Sequence, residues 1–237
     1  MKVIRVISLK SWPRATISER LSKSYREEVH VTLHSEFDVG YVKELKGRLE
    51  PTIMEKYNTR LTYTALFIKL VSHAIVNHPI FNSVIEGDDV KVIEDVNICV
   101  AVQSEKLGLV TPVIKNANTK KLGEIALQLN ELVTKAREGK LSIKDLTEGT
   151  FTISNIGILG SVDAFTQIIN PPQVAILGIG RILDKPLAIN NEVKIRPVCT
   201  FSLTFDHRVI DGYHGAEFLA TLKSILDNPA PALGDNI

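Results

Sequence analysis

The 237-residue chain predicts an α/β fold, a layer of helices packed on a mixed or largely antiparallel sheet. Helix-period and strand-period segments are interleaved without the regular βαβ rhythm of a doubly wound sheet. Leu187-Ala188-Ile189 and Val193-Lys194-Ile195 flank Asn190-Asn191, which reads as a hairpin turn. No internal repeat and no long Pro/Gly/Ser linker divides the chain, so residues 1–237 are expected to form one compact unit.

The elements follow in order. Ser11 is placed to cap a helix from Trp12, with Pro13 in its first turn and Ile17, Leu21 and Tyr25 on its apolar face. His30 to Phe37 alternates as a strand. A helix from about Val39 carries Val42, Leu45, Leu49, Ile53 and Met54 in phase, with Pro51 expected to kink or break it. Thr62 to Val76 is apolar nearly all round, as a buried helix should be. Strands are expected near Val90 to Ile93, Val96 to Val102 and Leu109 to Ile114, with Gly108 in a turn. Lys121 to Arg137 is amphipathic and stops at Gly139. Phe151 to Ser154 and Gln173 to Leu177 read as strands, the second closed by a tight corner at Gly178-Ile179-Gly180. A strand at Thr200 to Phe205 and a helix over about Tyr213 to Leu226 complete the reading.

Hydrophobic residues make up 44% of the chain and charged residues 23%, with a formal charge of +1. This is ordinary for a globular protein, and it offers no electrostatic footprint for nucleic acid or an anionic membrane. Met1 to Ser8 is a short alternating run that carries charge and lacks a signal-peptide core. No apolar stretch is long enough to span a bilayer. Cys99 and Cys199 lie in apolar strand-like runs, so reduced, buried thiols and a cytoplasmic location are expected.

Chemistry concentrates in Asp206-His207-Arg208-Val209-Ile210-Asp211-Gly212, between a strand and a helix. Histidine exchanges a proton near neutral pH, and a scaffold of this kind holds it firmly while leaving it at a cleft. Alone, the motif fits a structural histidine with two solvated acids equally well. Ser154 ends a strand and could donate its hydroxyl to an oxyanion, although such a serine is by default a local hydrogen-bonder. Arg14 and Lys115 are by default solvated charges. Gly178-Ile179-Gly180 lacks the third glycine of a dinucleotide fingerprint. His207 and His214 do not share a helical face, and neither HExxH nor CxxC occurs, so no metal is expected. A GxSxG nucleophile elbow is also missing.

Taken in order, several blocks resemble the catalytic domain of the dihydrolipoamide acyltransferases, the core component of 2-oxo-acid dehydrogenase complexes. They are Arg14-Ala15-Thr16-Ile17-Ser18-Glu19-Arg20-Leu21, His78-Pro79-Ile80-Phe81-Asn82-Ser83, Asn97 to Val102, Gly108 to Ile114, Gly149 to Gly157, Ile168 to Gly178 and Asp206 to Gly212. Chloramphenicol acetyltransferases are similar in the HxxxDG element and in Trp12-Pro13-Arg14, but the middle blocks are those of the lipoamide family. The resemblance implies a chloramphenicol acetyltransferase-like two-layer sandwich. It implies acyl transfer between the thiols of dihydrolipoamide and coenzyme A, the latter as co-substrate. His207 would be the base, Ser154 the oxyanion donor and Asp211 the second motif residue, braced by Arg14. Asn155, Gly178 and Gly180 match positions along the coenzyme A channel.

The resemblance further implies a homotrimer at least, with His207 and Ser154 contributed by different chains, and a larger oligomer left open. Its partners would be a lipoyl domain supplied in trans and the 2-oxo-acid dehydrogenase and dihydrolipoamide dehydrogenase components. No lipoyl or subunit-binding domain is recognised in the chain. Asp184-Lys185 precedes Pro186 inside the matched region and is not read as a lipoyl-lysine turn. Three departures stand out: Gln103-Ser104, where relatives often carry a carboxylate or threonine; Gln167, where they often carry proline; and a tail from Pro229 poor in leucine. A coenzyme A-dependent acyltransferase with another acceptor, and a mainly structural assembly core, are the alternative readings.

Overall fold

The structure is a computed structural model that describes Ile4 and residues 8–233. Most of the alternating N-terminal run and the last four residues of the tail lie outside the described residues. The elements are α1 (Arg14–Glu27), β1 (His30–Asp38), α2 (Gly40–Tyr57), α3 (Tyr63–Asn77), β2 (Ser83–Glu86), β3 (Asp89–Val92), β4 (Ile98–Val100) and β5 (Val102–Ser104). There follow β6 (Gly108–Val110), β7 (Val113–Ile114), α4 (Leu122–Glu138), β8 (Phe151–Asn155), β9 (Ala175–Ile189), β10 (Glu192–Asp206), α5 (Gly212–Asp227) and α6 (Ala230–Leu233).

A six-stranded sheet runs β1-β10-β9-β8-β4-β7. The β1, β10 and β9 strands are antiparallel, β9, β8 and β4 are parallel, and β7 returns antiparallel, so the sheet is mixed as expected. Alternation sorts its two faces. Leu33, Phe37, Leu177, Phe201, Leu203 and Phe205 join the core beneath the helices, where Phe67 of α3 meets Phe201 edge-on and Phe218 of α5 packs near Phe151. The other face is polar: Thr32 bonds Thr204 at 2.8 Å and His34 bonds Ser202 at 2.8 Å.

Local chemistry explains several elements. Thr62 caps α3 by accepting from Ala65 N–H at 3.1 Å. Gly139 closes α4 at φ +74°. Asn190 and Asn191 both take positive φ, 53° and 61°, as the tight hairpin between β9 and β10 requires.

Five expectations are corrected. The first helix begins at Arg14 rather than Trp12, and the Ser11 hydroxyl donates back to Ser8 O instead of capping it. Tyr25 on this helix is 70% exposed, and Met54 on α2 also faces outward. Pro51 lies within α2 without ending it, because the buried stripe of Val42, Leu45, Leu49 and Ile53 holds both sides of the proline against the core. The stretch Leu109 to Ile114 divides into β6 and β7 around Thr111-Pro112, since Pro112 has no N–H for a ladder, and β4 and β5 likewise part at Ala101.

The fifth correction bears on the site. Gly178 and Gly180 form no corner; they lie inside the unbroken β9. A β-carbon at Gly178 would meet Gln167 Nε2 at 1.7 Å, and one at Gly180 would meet the Asp163 carbonyl oxygen at 1.8 Å. Their bare backbone admits a connecting segment, residues 160–174, onto the polar face of the sheet. Gln167 fastens it there by accepting from the Thr204 hydroxyl at 2.9 Å. The strand β2, the hairpin partner of β3, and the short α6 were not expected from sequence. Ser104, buried, serves packing: its hydroxyl donates to Ala136 O at 2.6 Å, joining β5 to α4. Lys185 lies within β9 opposite Arg196, away from the hairpin tip.

Candidate active site

The loop after β10 is built around Asp206. Its carboxylate is fully buried and accepts from Val29 N–H at 3.2 Å, from Arg208 N–H at 3.0 Å and from the Arg208 guanidinium at 2.5–3.0 Å. Its carbonyl oxygen accepts from the N–H groups of Val209 and Ile210, each at 3.0 Å. Burial alone would raise the Asp206 pKa, but the bonds from Arg208 and Val29 and the Arg208 charge outweigh it and hold the carboxyl below its ordinary range. Between these two anchors, His207 N–H donates to Val29 O at 2.8 Å.

The His207 side chain is thus presented from a fixed backbone. It is 43% exposed, and its Nδ1 lies 3.9 Å from Asp211 Oδ1. Asp211 stands at the N-terminus of α5, where the helix dipole favours an anion, and its carboxylate is 72% exposed. Arg14 is exposed on α1, and among the described residues no ion pair joins it to Asp211. The expected brace is therefore absent within one chain, and the pairing of buried Asp206 with the half-exposed Arg208 holds the loop instead. Both residues flank His207 in the motif; only the burial of Asp206, invisible in the sequence, distinguishes the pair from solvated charges.

Ser154 is the penultimate residue of β8 and lines a cavity of about 610 Å³ between α1, the β5–β6 hairpin and residues 165–170. Its walls include Ile17, Leu21, Leu109, Phe165 and Ile176, with Thr152 and Arg20 among the polar lining residues. Thr152 donates to Gln173 Oε1 at 2.5 Å, and Gln173 Nε2 reaches Cys99 Sγ at 3.1 Å, so the floor beside Ser154 is fastened. Arg14, Asn155, Gly178 and Gly180 do not line this cavity. Asn155 turns its amide to the Thr64 hydroxyl at 3.0 Å, while its buried Oδ1 has no partner.

His207 and Ser154 are not neighbours within the chain. Ser154 lies opposite Gly178, which lies opposite Ser202, and His207 follows five residues later. At about 3.3 Å per residue and 4.8 Å per strand, their backbones are on the order of 15–20 Å apart. Cysteine offers no substitute nucleophile: burial pushes the Cys99 thiol up to about 11 and the Cys199 thiol to about 12.

A two-layer sandwich with histidine at one strand end and serine at another has the chloramphenicol acetyltransferase-like architecture. A solved chloramphenicol acetyltransferase superposes with a TM-score of 0.56 at 15% identity, covering 94% of this chain and 99% of that one, a likeness of fold alone. The chain belongs to the family of 2-oxoacid dehydrogenase acyltransferase catalytic domains, which it matches over residues 5–233. The solved cubic core of the pyruvate dehydrogenase multienzyme complex has a TM-score of 0.92 at 29% identity, covering 98% of this chain and 95% of that one. The dihydrolipoyllysine-residue succinyltransferase component of the 2-oxoglutarate dehydrogenase complex of Azotobacter vinelandii is 40% identical over 223 residues, which are 94% of this chain and 55% of that protein. The chain spans about half the length of the curated relatives it matches.

Proposed function

We propose that this chain moves an acyl group between the thiols of dihydrolipoamide and coenzyme A, as the catalytic unit of a 2-oxo-acid dehydrogenase complex. The observation that carries the reading is the presentation of His207 on the Asp206-anchored loop, with Ser154 intact in a cavity of a size suited to a small ligand. Its largely apolar walls suit an acyl or dithiol carbon chain.

His207 removes the proton from the attacking thiol, because a free thiol is mostly protonated at neutral pH. The sulfur then bonds to the thioester carbonyl carbon, and the carbonyl oxygen takes up the negative charge. Ser154 donates its hydroxyl hydrogen to that oxygen. As the intermediate collapses, the old carbon–sulfur bond breaks and the departing thiolate recovers the proton from His207. No covalent acyl-enzyme is formed. The separation of His207 from Ser154 supports a site completed between copies of the chain, in a homotrimer or a larger symmetric assembly. The lipoyl group would arrive on a separate domain or chain, accompanied by the dehydrogenase components. Buried, reduced cysteines fit a cytoplasmic location.

The test incubates the protein with acetyl-, succinyl- or branched acyl-coenzyme A and dihydrolipoamide and follows S-acyl product. Transfer lost in His207→Ala supports the reading. Transfer only to other acceptors, or none by the wild type, refutes it.

A further inference from the structure

Behind the His207 loop lies a polar cluster that the proposed reaction does not use. Ser24 of α1 is fully buried, and the Glu28 side chain, just past the end of that helix, is 7% exposed. Ser24 Oγ lies 2.8 Å from Ile169 O and 2.9 Å from Glu28 Oε2. His30 Nδ1 lies 3.1 Å from Glu28 O, and His30 Nε2 lies 3.1 Å from Ile169 N. A carbonyl only accepts and an amide N–H only donates. The proton on His30 is therefore on Nδ1, and Nε2 receives Ile169 N–H.

Ser24 Oγ also lies 3.4 Å from His30 Nε2, but the single lone pair of that nitrogen is taken by Ile169 N–H, so Ser24 has one proton and two oxygens to serve. If Glu28 is ionised, its carboxylate takes the Ser24 proton, and the carbonyl of the fully buried Ile169 loses its partner. If Glu28 is the neutral acid, its own O–H donates to Ser24 Oγ, and Ser24 O–H goes on to Ile169 O. Only the neutral acid satisfies every member of the cluster.

The surroundings favour that form. Burial pushes the Glu28 carboxyl up to about 7, the Asp206 and Glu27 charges add to the rise, and Ser24 and Arg208 offset part of it. His30 Nε2, 3.5 Å from Glu28 Oε2, is already engaged by Ile169 N–H. These are the groups that face Glu28 from α1, β1, the Asp206 loop and the connecting segment.

The cluster touches both halves of the candidate site. Val29, between Glu28 and His30, holds His207 N–H through its carbonyl and Asp206 through its N–H. Ile168 and Asn170, on either side of Ile169, line the cavity that contains Ser154. We propose that Glu28 is a proton-operated positioning residue. Its neutral acid ties the Ile168–Asn170 segment to the end of α1 and keeps Val29 seated against the His207 loop, and loss of that proton releases the segment. This role rests on the proposed acyl transfer only for its effect on rate.

Amide hydrogen exchange, corrected for intrinsic rates, reads the switch without an activity assay. In the wild type, protection of Ile169 and His207 is expected to fall about tenfold between about pH 6 and about pH 8.5, the loss of roughly one buried hydrogen bond. In Glu28→Gln, whose amide donates to Ser24 Oγ at any pH, protection stays flat, and an alkaline decline in kcat/KM seen in the wild type disappears. Ser24→Ala, which cuts the relay, lowers Ile169 protection at both pH values. Flat protection in the wild type, or a decline that persists in Glu28→Gln, overturns the switch even if the protein transfers acyl groups. A wild type with the switch but no transfer overturns the proposed function and leaves the switch standing.

Discussion

Asp206 grips Arg208 across His207: the carboxylate on one side of the histidine is buried, and it holds the guanidinium on the other side and Val29 N–H together. The imidazole between them has little freedom to shift its backbone, and this restraint sets the first expected outcome. Asp206→Ala leaves Arg208 and two backbone N–H groups without their acceptor. Because Arg208 is partly solvated, the expected loss is about 2–4 kcal/mol, at or below the usual cost of breaking a buried pair. Urea unfolding measures it. The Asp206 pKa is depressed in the folded protein, so its contribution is complete above the ordinary carboxylate value of about 3.8 and fades as pH falls through the lower folded value. A wild-type acid limb of stability that Asp206→Asn leaves in place would contradict this.

Ser154→Ala is expected to lower kcat by on the order of 10²–10³ while the melting temperature stays within a few degrees. Steady-state kinetics and thermal unfolding on one preparation test both halves. A large loss of stability with little change in kcat would reduce Ser154 to a structural residue.

Subunit mixing tests the separation of His207 from Ser154. Chains carrying His207→Ala and chains carrying Ser154→Ala are each expected to be inactive. Co-assembled in equal amounts, they should recover about a quarter of wild-type activity, because about one interface in four then pairs two intact residues. No recovery in verified mixed assemblies would place both residues in one chain's site.

Gly180→Ala should be more harmful than Gly178→Ala. The first forces a β-carbon onto the Asp163 backbone carbonyl, and the second meets the end of the Gln167 side chain, which is freer to move. Expected costs are about 3 kcal/mol or more and about 1–2 kcal/mol respectively, read from denaturant midpoints. The reverse order would mean that residues 160–174 yield more easily than their contacts indicate.

Cys99 and Cys199 should resist alkylation in the native protein near neutral pH and react fully once it is unfolded. Burial raises both thiols to about 11 and about 12. Mass spectrometry after iodoacetamide treatment reads the outcome, and rapid native labelling accompanied by loss of transfer would reopen a cysteine mechanism.

Much of this was legible in the chain. The stripe of Val42, Leu45, Leu49 and Ile53, the glycine stop after α4 and the Asn-Asn hairpin are local statements, and local sterics and periodicity decide them. The DHRVIDG run and Ser154 also announced themselves as chemistry, because their residue types and order match a family. Properties that depend on what a residue meets across the fold were not legible. Gly178 and Gly180 have the spacing of a turn, yet they sit inside a strand because Gln167 and Asp163 need their space. Asp206 and Asp211 look alike in the motif; burial against Val29 and Arg208 makes one the pillar of the loop, while exposure at the start of α5 leaves the other beside the imidazole. Sequence alone determined which side chains could do the chemistry, since that rests on residue type. Tertiary structure alone decided which charges lose their water and that one chain holds His207 and Ser154 apart, because desolvation and long-range register arise only when distant segments pack together.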